Sequence, residues 1–443
     1  MIVHLTSLGC ARNQIDSEIM LGRLNQVGAL FTDTPGDAEV IIVNTCSFIE
    51  SAADESIDTI LELAAHKNEG RCRRLIVTGC LPERYRQEIT RAIPEVDVFL
   101  GTGAFDRIVA AVQGHLDTAK CLLPDPDSLS PSGAGVSRER SNRWMAYVKI
   151  AEGCSRQCTY CIIPRLRGRR KSRSIEDVVA ESRQLIQTGV RELVLVSQET
   201  TAYGKDLKPP ADLARLLTAL AALPDGSGTD AFWIRFLYGH PQSIDDRLMN
   251  AVAQNANICS YFDIPIQHAS RSILKKMGRR YGPDDLRLML ERIRRLMPEA
   301  ALRTTVIVGF PGETDADFDE LLSFVESERF NHLGCFVYSD SEDLPSHGLP
   351  DHVPTATAQE RYRILMERQQ EISAARNRKY KDQKVAVLVE EHQENGLYTG
   401  RTEFQAPEVD GVTYIHADRL QTGCFAMVRI TDTLEYDLVG EAV

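Results

Sequence analysis

Three cysteines lie within eight residues of one another, at Cys154, Cys158 and Cys161, directly after an apolar run that predicts a β-strand. This C-x3-C-x2-C spacing supplies three thiolate ligands and leaves one coordination position open. Zinc sites usually combine a C-x2-C pair with a second cysteine or histidine pair, and four-cysteine ferredoxin runs supply a full ligand set. The run, called the compact triplet below, therefore favours a 4Fe-4S cluster with one open iron. Two alternatives are zinc with a distant fourth ligand and thiols that only pack.

A second set of three cysteines, Cys10, Cys46 and Cys80, is dispersed over the first part of the chain. Each follows one of the first three predicted strands. The carboxyl ends of parallel strands line a common crevice, so these cysteines can converge despite being more than 30 residues apart. The alternative is three small buried residues at strand ends. Beside the compact triplet, this N-terminal triplet is better explained as the ligands of a second three-thiolate cluster.

The remaining thiols are expected to be structural or incidental. Eleven cysteines in a long chain without a recognisable signal peptide indicate reduced thiols and metal ligation rather than a disulfide framework. The cysteines outside the two triplets are Cys72, Cys121, Cys259, Cys335 and Cys424.

A basic stretch follows the compact triplet, although the chain as a whole carries a formal charge of −12, which argues against general nucleic-acid binding. The stretch is either a solvated approach to a helix, or a rim that attracts an anionic group or steadies an anionic cluster. Its members are Arg165, Arg167, Arg169, Arg170, Lys171 and Arg173.

The N-terminal triplet is positioned by a block in which strand-like runs alternate with helical periodicity, which predicts an open parallel sheet. This block is expected to form a domain over residues 1–118. Proline, aspartate, serine and glycine then crowd together and predict a linker over 119–142. The predicted strands are Ile2 to Leu8, Val40 to Asn44, Leu75 to Thr78 and Val96 to Leu100.

The compact triplet is positioned by a second block, residues 143–372, with six predicted strands separated by helices. Six repeats predict a partial (βα)6 barrel, whose chemistry belongs at the carboxyl ends of its strands. Gln198 follows the second strand, Arg303 lies in the fifth, and the glycine-rich turn Gly309 to Gly312 follows the fifth. These positions are candidates to contact a cofactor.

A third block over residues 376–443 contains short alternating runs punctuated by glycines, which predict a small antiparallel β-barrel. From Lys381 to Val443 it contains five basic and twelve acidic residues, a local charge of −7. Such a barrel is expected to repel RNA and attract a cationic partner, with Glu408 and Asp410 as candidate contacts.

The whole chain resembles the methylthiotransferases, which are radical S-adenosylmethionine enzymes with an N-terminal cluster domain, a central radical barrel and a C-terminal barrel of the TRAM type. The resemblance rests on the six cysteines in this order, three dispersed and three compact. It implies two 4Fe-4S clusters, one with Cys10, Cys46 and Cys80 as ligands and one with the compact triplet as ligands. It also implies S-adenosylmethionine as cofactor, with tentative contacts from Gln198 and Arg303.

Within this family the ribosomal-protein branch is most similar. The supporting segments include Val196 to Thr201, Ile264 to Ser270, Ala406 to Gly411 and Glu435 to Glu441. That branch implies addition of a methylthio group to the β-carbon of an aspartyl residue in protein twelve of the small ribosomal subunit. The alternatives are a tRNA adenosine methylthiotransferase, favoured by the basic stretch, and a non-enzymatic iron-sulfur carrier or scaffold.

The same resemblance implies an electron donor and a sulfur source as further partners, and a monomeric protein. No apolar run approaches the roughly 20 residues that a membrane helix requires. A cytoplasmic protein that does not bind membranes is therefore expected.

Overall fold

A computed structural model describes residues 1–116, 120–128, 131, 135–224 and 232–443. Positions 117–118 of the first predicted domain, and positions 119, 129–130 and 132–134 of the predicted linker, lie outside the described residues. All six cysteines of the two triplets lie within them.

The first block forms a six-stranded sheet in which every described ladder is parallel. Its central strand, Val40–Thr45, is buried at every position, as expected for a strand covered by helices on both faces. The strand Cys121–Leu122 extends this sheet into residues that the sequence assigns to the linker, and two residues are too few to produce a visible periodicity. The strands in spatial order are Leu30–Phe31, Ile2–Ser7, Val40–Thr45, Arg74–Gly79, Val98–Leu100 and Cys121–Leu122. The helices are Ala11–Gln26, Glu50–Ala64, His66–Glu69, Cys80–Tyr85, Ile89–Ala92 and Ile108–Gln113.

The second block contains six parallel strands in two sheets of three, in chain order. A bridge between Ile234 and Ile258 joins the two sheets. Among the described residues the first and last strands do not pair, so the barrel is open on one side. The strands are Met145–Lys149, Glu192–Val196, Trp233–Phe236, Tyr261–Asp263, Ala301–Val308 and His332–Val337. The helices are Ile163–Arg167, Ile175–Gln187, Leu213–Ala221, Asp246–Gln254, Arg271–Lys276, Pro283–Leu296 and Asp315–Glu328.

A long helix, Thr355–Asn377, leads into a closed five-stranded barrel, which confirms the predicted α/β fold class with a small C-terminal β-barrel. The expectation of a purely antiparallel barrel is wrong at one ladder, because Thr413–His416 pairs in parallel with Leu438–Ala442. The chain crosses between these two positions instead of returning through a hairpin, and such a crossing leaves no short-range signal in the sequence. The other strands are Lys384–His392, Leu397–Thr402 and Phe425–Thr433. None of the helices in the described residues combines the length and apolar composition needed to cross a bilayer.

A buried ion network fastens the C-terminal barrel to the central one. Glu192 accepts from Arg235 at 2.7 Å and from Arg401 at 2.6 Å, and its side chain is fully buried. Burial opposes ionisation of Glu192, but Arg401 and Arg235 outweigh it and lower the pKa of the carboxyl. Glu390 also pairs with Arg401, at 2.7 Å, so two carboxylates balance two cations from different domains.

We expect Glu192→Gln to lower the free energy of unfolding by about 3–5 kcal/mol, because removing one partner leaves buried charge uncompensated. Denaturant unfolding followed by far-UV circular dichroism measures this. The matched control is Glu360→Gln, which removes an exposed pair with Arg363 and should produce no resolvable change. Equal stabilities of the Glu192→Gln variant and the parent protein would contradict the expectation.

Candidate active site

The compact triplet lies in a loop held tightly against the barrel. Gly153 begins the loop with φ +78°, and a Cβ at this position would lie 2.2 Å from the Arg169 carbonyl oxygen, so glycine is required. The Cys154 amide donates to the Gly168 carbonyl at 3.0 Å. Cys154, Cys158 and Cys161 line a cavity of about 370 Å³ at the carboxyl ends of the barrel strands, called the shared cavity below.

The N-terminal triplet converges at the carboxyl edge of the first sheet. Cys46 directly follows the strand Val40–Thr45, Cys80 begins the helix Cys80–Tyr85, and Cys10 precedes the helix Ala11–Gln26. Gly9 has φ +92°, and a Cβ there would lie 2.7 Å from the Cβ of Cys46, so these loops approach as closely as backbones allow. Burial, and next the neighbouring Cys80 thiolate, raises the pKa of Cys46 to about 11.

The two triplets are neighbours. Ile162, which follows Cys161, packs against Cys80 in one small apolar cluster. Arg167 Nη2 lies 3.7 Å from the Cys80 sulfur. Arg12, in the first turn of the helix Ala11–Gln26, and Phe48, two residues after Cys46, form part of the wall of the shared cavity. The compact triplet therefore lines the cavity, and residues next to the N-terminal triplet form part of its wall.

The donor chemistry fits two iron-sulfur clusters. All eleven cysteines are free. Burial raises the pKa of Cys161 to about 12, so this thiol stays protonated unless a metal replaces the proton. No group of three or more histidine, cysteine or acidic side chains in the described residues can hold a single metal ion. A cubane cluster places its thiolates on three different irons, so its ligands stand farther apart than those of one ion.

Arg167 shows that the basic stretch is not a free patch. Its Nη1 donates to Asp16 at 2.9 Å, it also hydrogen-bonds Asn13, and only 3% of its side chain is exposed. Lys149 completes the network by donating to Asp16 and to Glu152 at 2.8 Å. For Arg167 the alternative of a solvated approach is wrong, because buried Asp16 and Glu152 neutralise its charge. The alternative of a cation that steadies an anionic cluster fits its position beside Cys80.

The other basic side chains of the stretch differ in their exposure to solvent. Arg173 is buried and pairs with Asp177 and Glu181, whereas Arg165 is 59% exposed.

Gln198 and Arg303 both lie in the wall of the shared cavity. Gln198 Nε2 donates to Glu152 at 2.7 Å, while its Oε1 is buried without a hydrogen-bond partner. Buried acceptors are normally satisfied, so Oε1 is available to a donor on a ligand. Arg303 Nη1 donates to Asp263 at 3.0 Å, which fixes the guanidinium at the cavity wall.

The wall residues Arg156, Arg279 and His240 were not identified from the sequence, because single arginines and histidines carry no motif. Arg279 donates to the Tyr160 hydroxyl at 2.5 Å, and Arg156 pairs with Glu199 at 2.6 Å. Burial, followed by repulsion from nearby cations, lowers the pKa of His240 to about 2, so this imidazole is neutral. The wall contains four arginines, of which Arg156 and Arg303 pair with carboxylates.

The turn Gly309 to Gly312 does not border the cavity. A Cβ at Gly309 would lie 2.4 Å from the Cβ of Ala358, so this glycine admits the long helix Thr355–Asn377. Glu313 Oε2 accepts from the Gly309 amide at 2.7 Å, which occupies a donor of the turn. The expectation that this turn approaches a cofactor stays a prediction.

A turn of the C-terminal barrel contacts strands of the central barrel. Asp410, a candidate partner contact, has a fully buried side chain that accepts from the Tyr261 hydroxyl at 2.6 Å and pairs with Arg303 at 3.4 Å. Glu408 accepts from the Tyr147 hydroxyl at 3.0 Å, and Val409 is part of the cavity wall. Asp410 therefore cannot contact a partner from the surface; it holds the two barrels together.

Three family models match the chain: "Uncharacterized protein family UPF0004" over residues 2–101, "Radical SAM superfamily" over 148–325 and "TRAM domain" over 383–443. The chain is 53% identical over 444 residues to the ribosomal protein uS12 methylthiotransferase RimO of Desulfosudis oleivorans, covering 100% of both chains. It is 45% identical to the protein of the same name from Geobacter sulfurreducens, covering 100% of this chain and 98% of the relative.

Solved structures share the fold at low identity. The radical S-adenosylmethionine methyltransferase TsrM from Kitasatospora setae, solved with cobalamin and a 4Fe-4S cluster, superposes with a TM-score of 0.55 at 17% identity, covering 76% of this chain and 74% of that one. The cobalamin-dependent S-adenosylmethionine radical enzyme OxsB gives a TM-score of 0.50 at 13% identity, covering 84% and 56%.

Proposed function

The chain belongs to the ribosomal protein uS12 methylthiotransferase RimO family of radical S-adenosylmethionine enzymes, and on that premise we propose that it adds a methylthio group to the β-carbon of an aspartyl residue of ribosomal protein uS12. The observation that carries the proposal is the packing of Cys80, from the N-terminal triplet, against Ile162, which directly follows the last cysteine of the compact triplet at the cavity. The enzyme is a sulfur-group transferase that uses a 4Fe-4S cluster and S-adenosylmethionine.

We assign the ligands of that cluster to Cys154, Cys158 and Cys161, and propose a second 4Fe-4S cluster on the N-terminal triplet. When bound, the first cluster supplies the electron that cleaves S-adenosylmethionine to a carbon radical, and the second supplies a place to hold sulfur. Radical chemistry suits the substrate, because an aspartyl β-carbon has no leaving group and its hydrogens are barely acidic.

The side chains of the wall have distinct proposed roles. The unpartnered Oε1 of Gln198 accepts a hydrogen bond from the amino group of S-adenosylmethionine. Arg303, fixed by Asp263 and Asp410, faces the cavity and binds a carboxylate of the cofactor or the substrate. Leu237 and Phe336 contribute apolar wall that excludes water from a reactive radical.

The remaining assignments follow from the same family. We propose an electron donor and a sulfur source as partners, a monomeric enzyme, and action in the cytoplasm, where ribosomal proteins are found. We also propose the boundaries 1–118, 119–142, 143–372 and 376–443 for the N-terminal domain, linker, central barrel and C-terminal barrel.

Mass spectrometry of ribosomal protein and tRNA from a deletion strain tests the function. Without the gene, uS12 should lose one methylthio group, and the intact gene should restore it. Loss of methylthio groups from tRNA nucleosides alone would contradict the proposal and favour a tRNA methylthiotransferase. A purified, reduced protein that forms no 5'-deoxyadenosine from S-adenosylmethionine would instead indicate a carrier or scaffold.

A further inference from the structure

The loop of the compact triplet has one face toward the shared cavity and another toward solvent. Cys154 and Cys158 line the cavity, whereas Ser155 and Gln157, which lie between them in the chain, are exposed. The loop itself is therefore what separates the triplet from solvent on this side. A macromolecule that approaches the triplet without entering the cavity must contact this exposed face.

Two segments that are rich in basic residues border the loop. Residues 164–173 include six basic residues and residues 271–281 include five, and neither segment contains an acidic residue. The chain as a whole carries a formal charge of −12, so these segments differ from the rest of the protein. A basic surface on an acidic protein orients an anionic partner, because the remaining surface repels that partner.

Both segments contact the exposed face directly, one at each end. The Arg170 amide, in the first segment, donates to the Ser155 hydroxyl at 3.2 Å. In the second segment, a Cβ at Gly278 would lie 2.8 Å from the Gln157 carbonyl oxygen, so the two backbones are in close contact. Basic segments therefore flank the exposed face on both sides.

Three exposed cations of these segments form a group that we call the basic collar: Arg169, Lys275 and Arg280. Within the described parts of the chain, none of the three pairs with a carboxylate. The neighbouring Arg170, by contrast, pairs with Asp206 at 3.2 Å. Asp127 accepts from the backbone amide of Arg169 at 2.6 Å and is not paired with its guanidinium. The charges of the collar are therefore available to an acidic partner.

We propose that the basic collar is the docking surface for an acidic one-electron carrier protein, which reduces the cluster on the compact triplet. The proposal rests on the proposed function and places its electron donor on the molecule. The carrier loses one electron, the cluster gains one, and no atom is transferred. RNA is also anionic, but the position of the collar beside the compact triplet favours a redox partner. Electron-transfer encounters need only a small interface, and the shared cavity stays free for cofactor and substrate.

Calorimetric titration of the reconstituted full-length enzyme with an oxidised, acidic 4Fe-4S ferredoxin at low ionic strength tests the proposal. We expect the double variant Lys275→Glu, Arg280→Glu to bind about tenfold more weakly, because each exposed ion pair contributes up to about fivefold. Added salt should weaken binding by the parent enzyme and reduce the difference between parent and variant, since it screens exposed charges. Reduction of the cluster by the reduced ferredoxin should slow in the same variant.

The matched control is Lys379→Glu, Lys384→Glu, which makes the same change of charge at two exposed lysines outside both segments. It should lower the affinity far less than the collar variant does. With dithionite as reductant, the collar variant should form 5'-deoxyadenosine at the parent rate, because a small reductant needs no docking surface. The variant Lys275→Gln, Arg280→Gln removes the two charges without reversing them and should give a smaller loss of affinity.

Equal ferredoxin affinities of the parent enzyme and both collar variants would overturn the docking site. Equal ferredoxin affinities together with weakened binding of a ribosomal RNA fragment would overturn it as well, and would assign the collar to RNA. A parent enzyme that forms no 5'-deoxyadenosine with dithionite would count against the proposed function instead.

Discussion

Replacing Cys158 by alanine is expected to abolish cleavage of S-adenosylmethionine. Cys158 is the middle member of the compact triplet, and its loss leaves two thiolates for a cluster that needs three. Substituting a residue that hydrogen-bonds to a metal ligand already lowers metal affinity or activity by about 10- to 100-fold. Loss of a ligand itself should therefore lower 5'-deoxyadenosine production by more than about 100-fold. Chromatography of the products from dithionite-reduced protein measures the effect.

The matched control is Cys424→Ala, which removes a thiol that lies in neither triplet. Its rate of 5'-deoxyadenosine formation should equal that of the parent enzyme. Equal rates for the parent and the Cys158→Ala variant would show that the compact triplet does not hold the cluster that cleaves the cofactor.

Replacing Cys46 by alanine is expected to separate the two halves of the chemistry. Cys46 belongs to the N-terminal triplet and is not part of the wall of the shared cavity, so the compact triplet and its surroundings remain. We expect Cys46→Ala to retain 5'-deoxyadenosine formation, with methylthiolated uS12 reduced by more than about 100-fold for the same reason. Iron content should fall by about half.

Quantifying 5'-deoxyadenosine and methylthiolated uS12 in the same reaction allows the two products of one variant to be compared directly. A Cys46→Ala variant that modifies uS12 at the parent rate would refute the second cluster. A variant that loses both products together would mean that the N-terminal triplet supports the compact one structurally and does not hold sulfur.

The convergence of the dispersed cysteines could be predicted from sequence, since strand-helix alternation fixes a parallel sheet and the sheet places strand ends at one edge. The buried surroundings of Arg167 could not be predicted from the sequence. A basic stretch has the same sequence pattern whether its side chains face water or an acid on another domain. Asp16, the partner of Arg167, lies about 150 residues away in the chain.

Contacts between domains also could not be predicted from the sequence. Asp410 appears as one of many acidic residues of the C-terminal barrel, yet its carboxylate is buried against Tyr261 and Arg303 of the central barrel. Arg12 is likewise a single arginine until the fold sets it against Ser197. Such placements depend on how whole domains pack, and no local periodicity records them.

The spin interaction between the two reduced clusters is the measurement that tests the paired triplets most directly. Clusters on neighbouring triplets should broaden each other's electron paramagnetic resonance signals, and the broadening should vanish in Cys46→Ala and in Cys158→Ala. A parent spectrum equal to the simple sum of the spectra of the two variants would contradict the proposal that the two triplets hold neighbouring clusters.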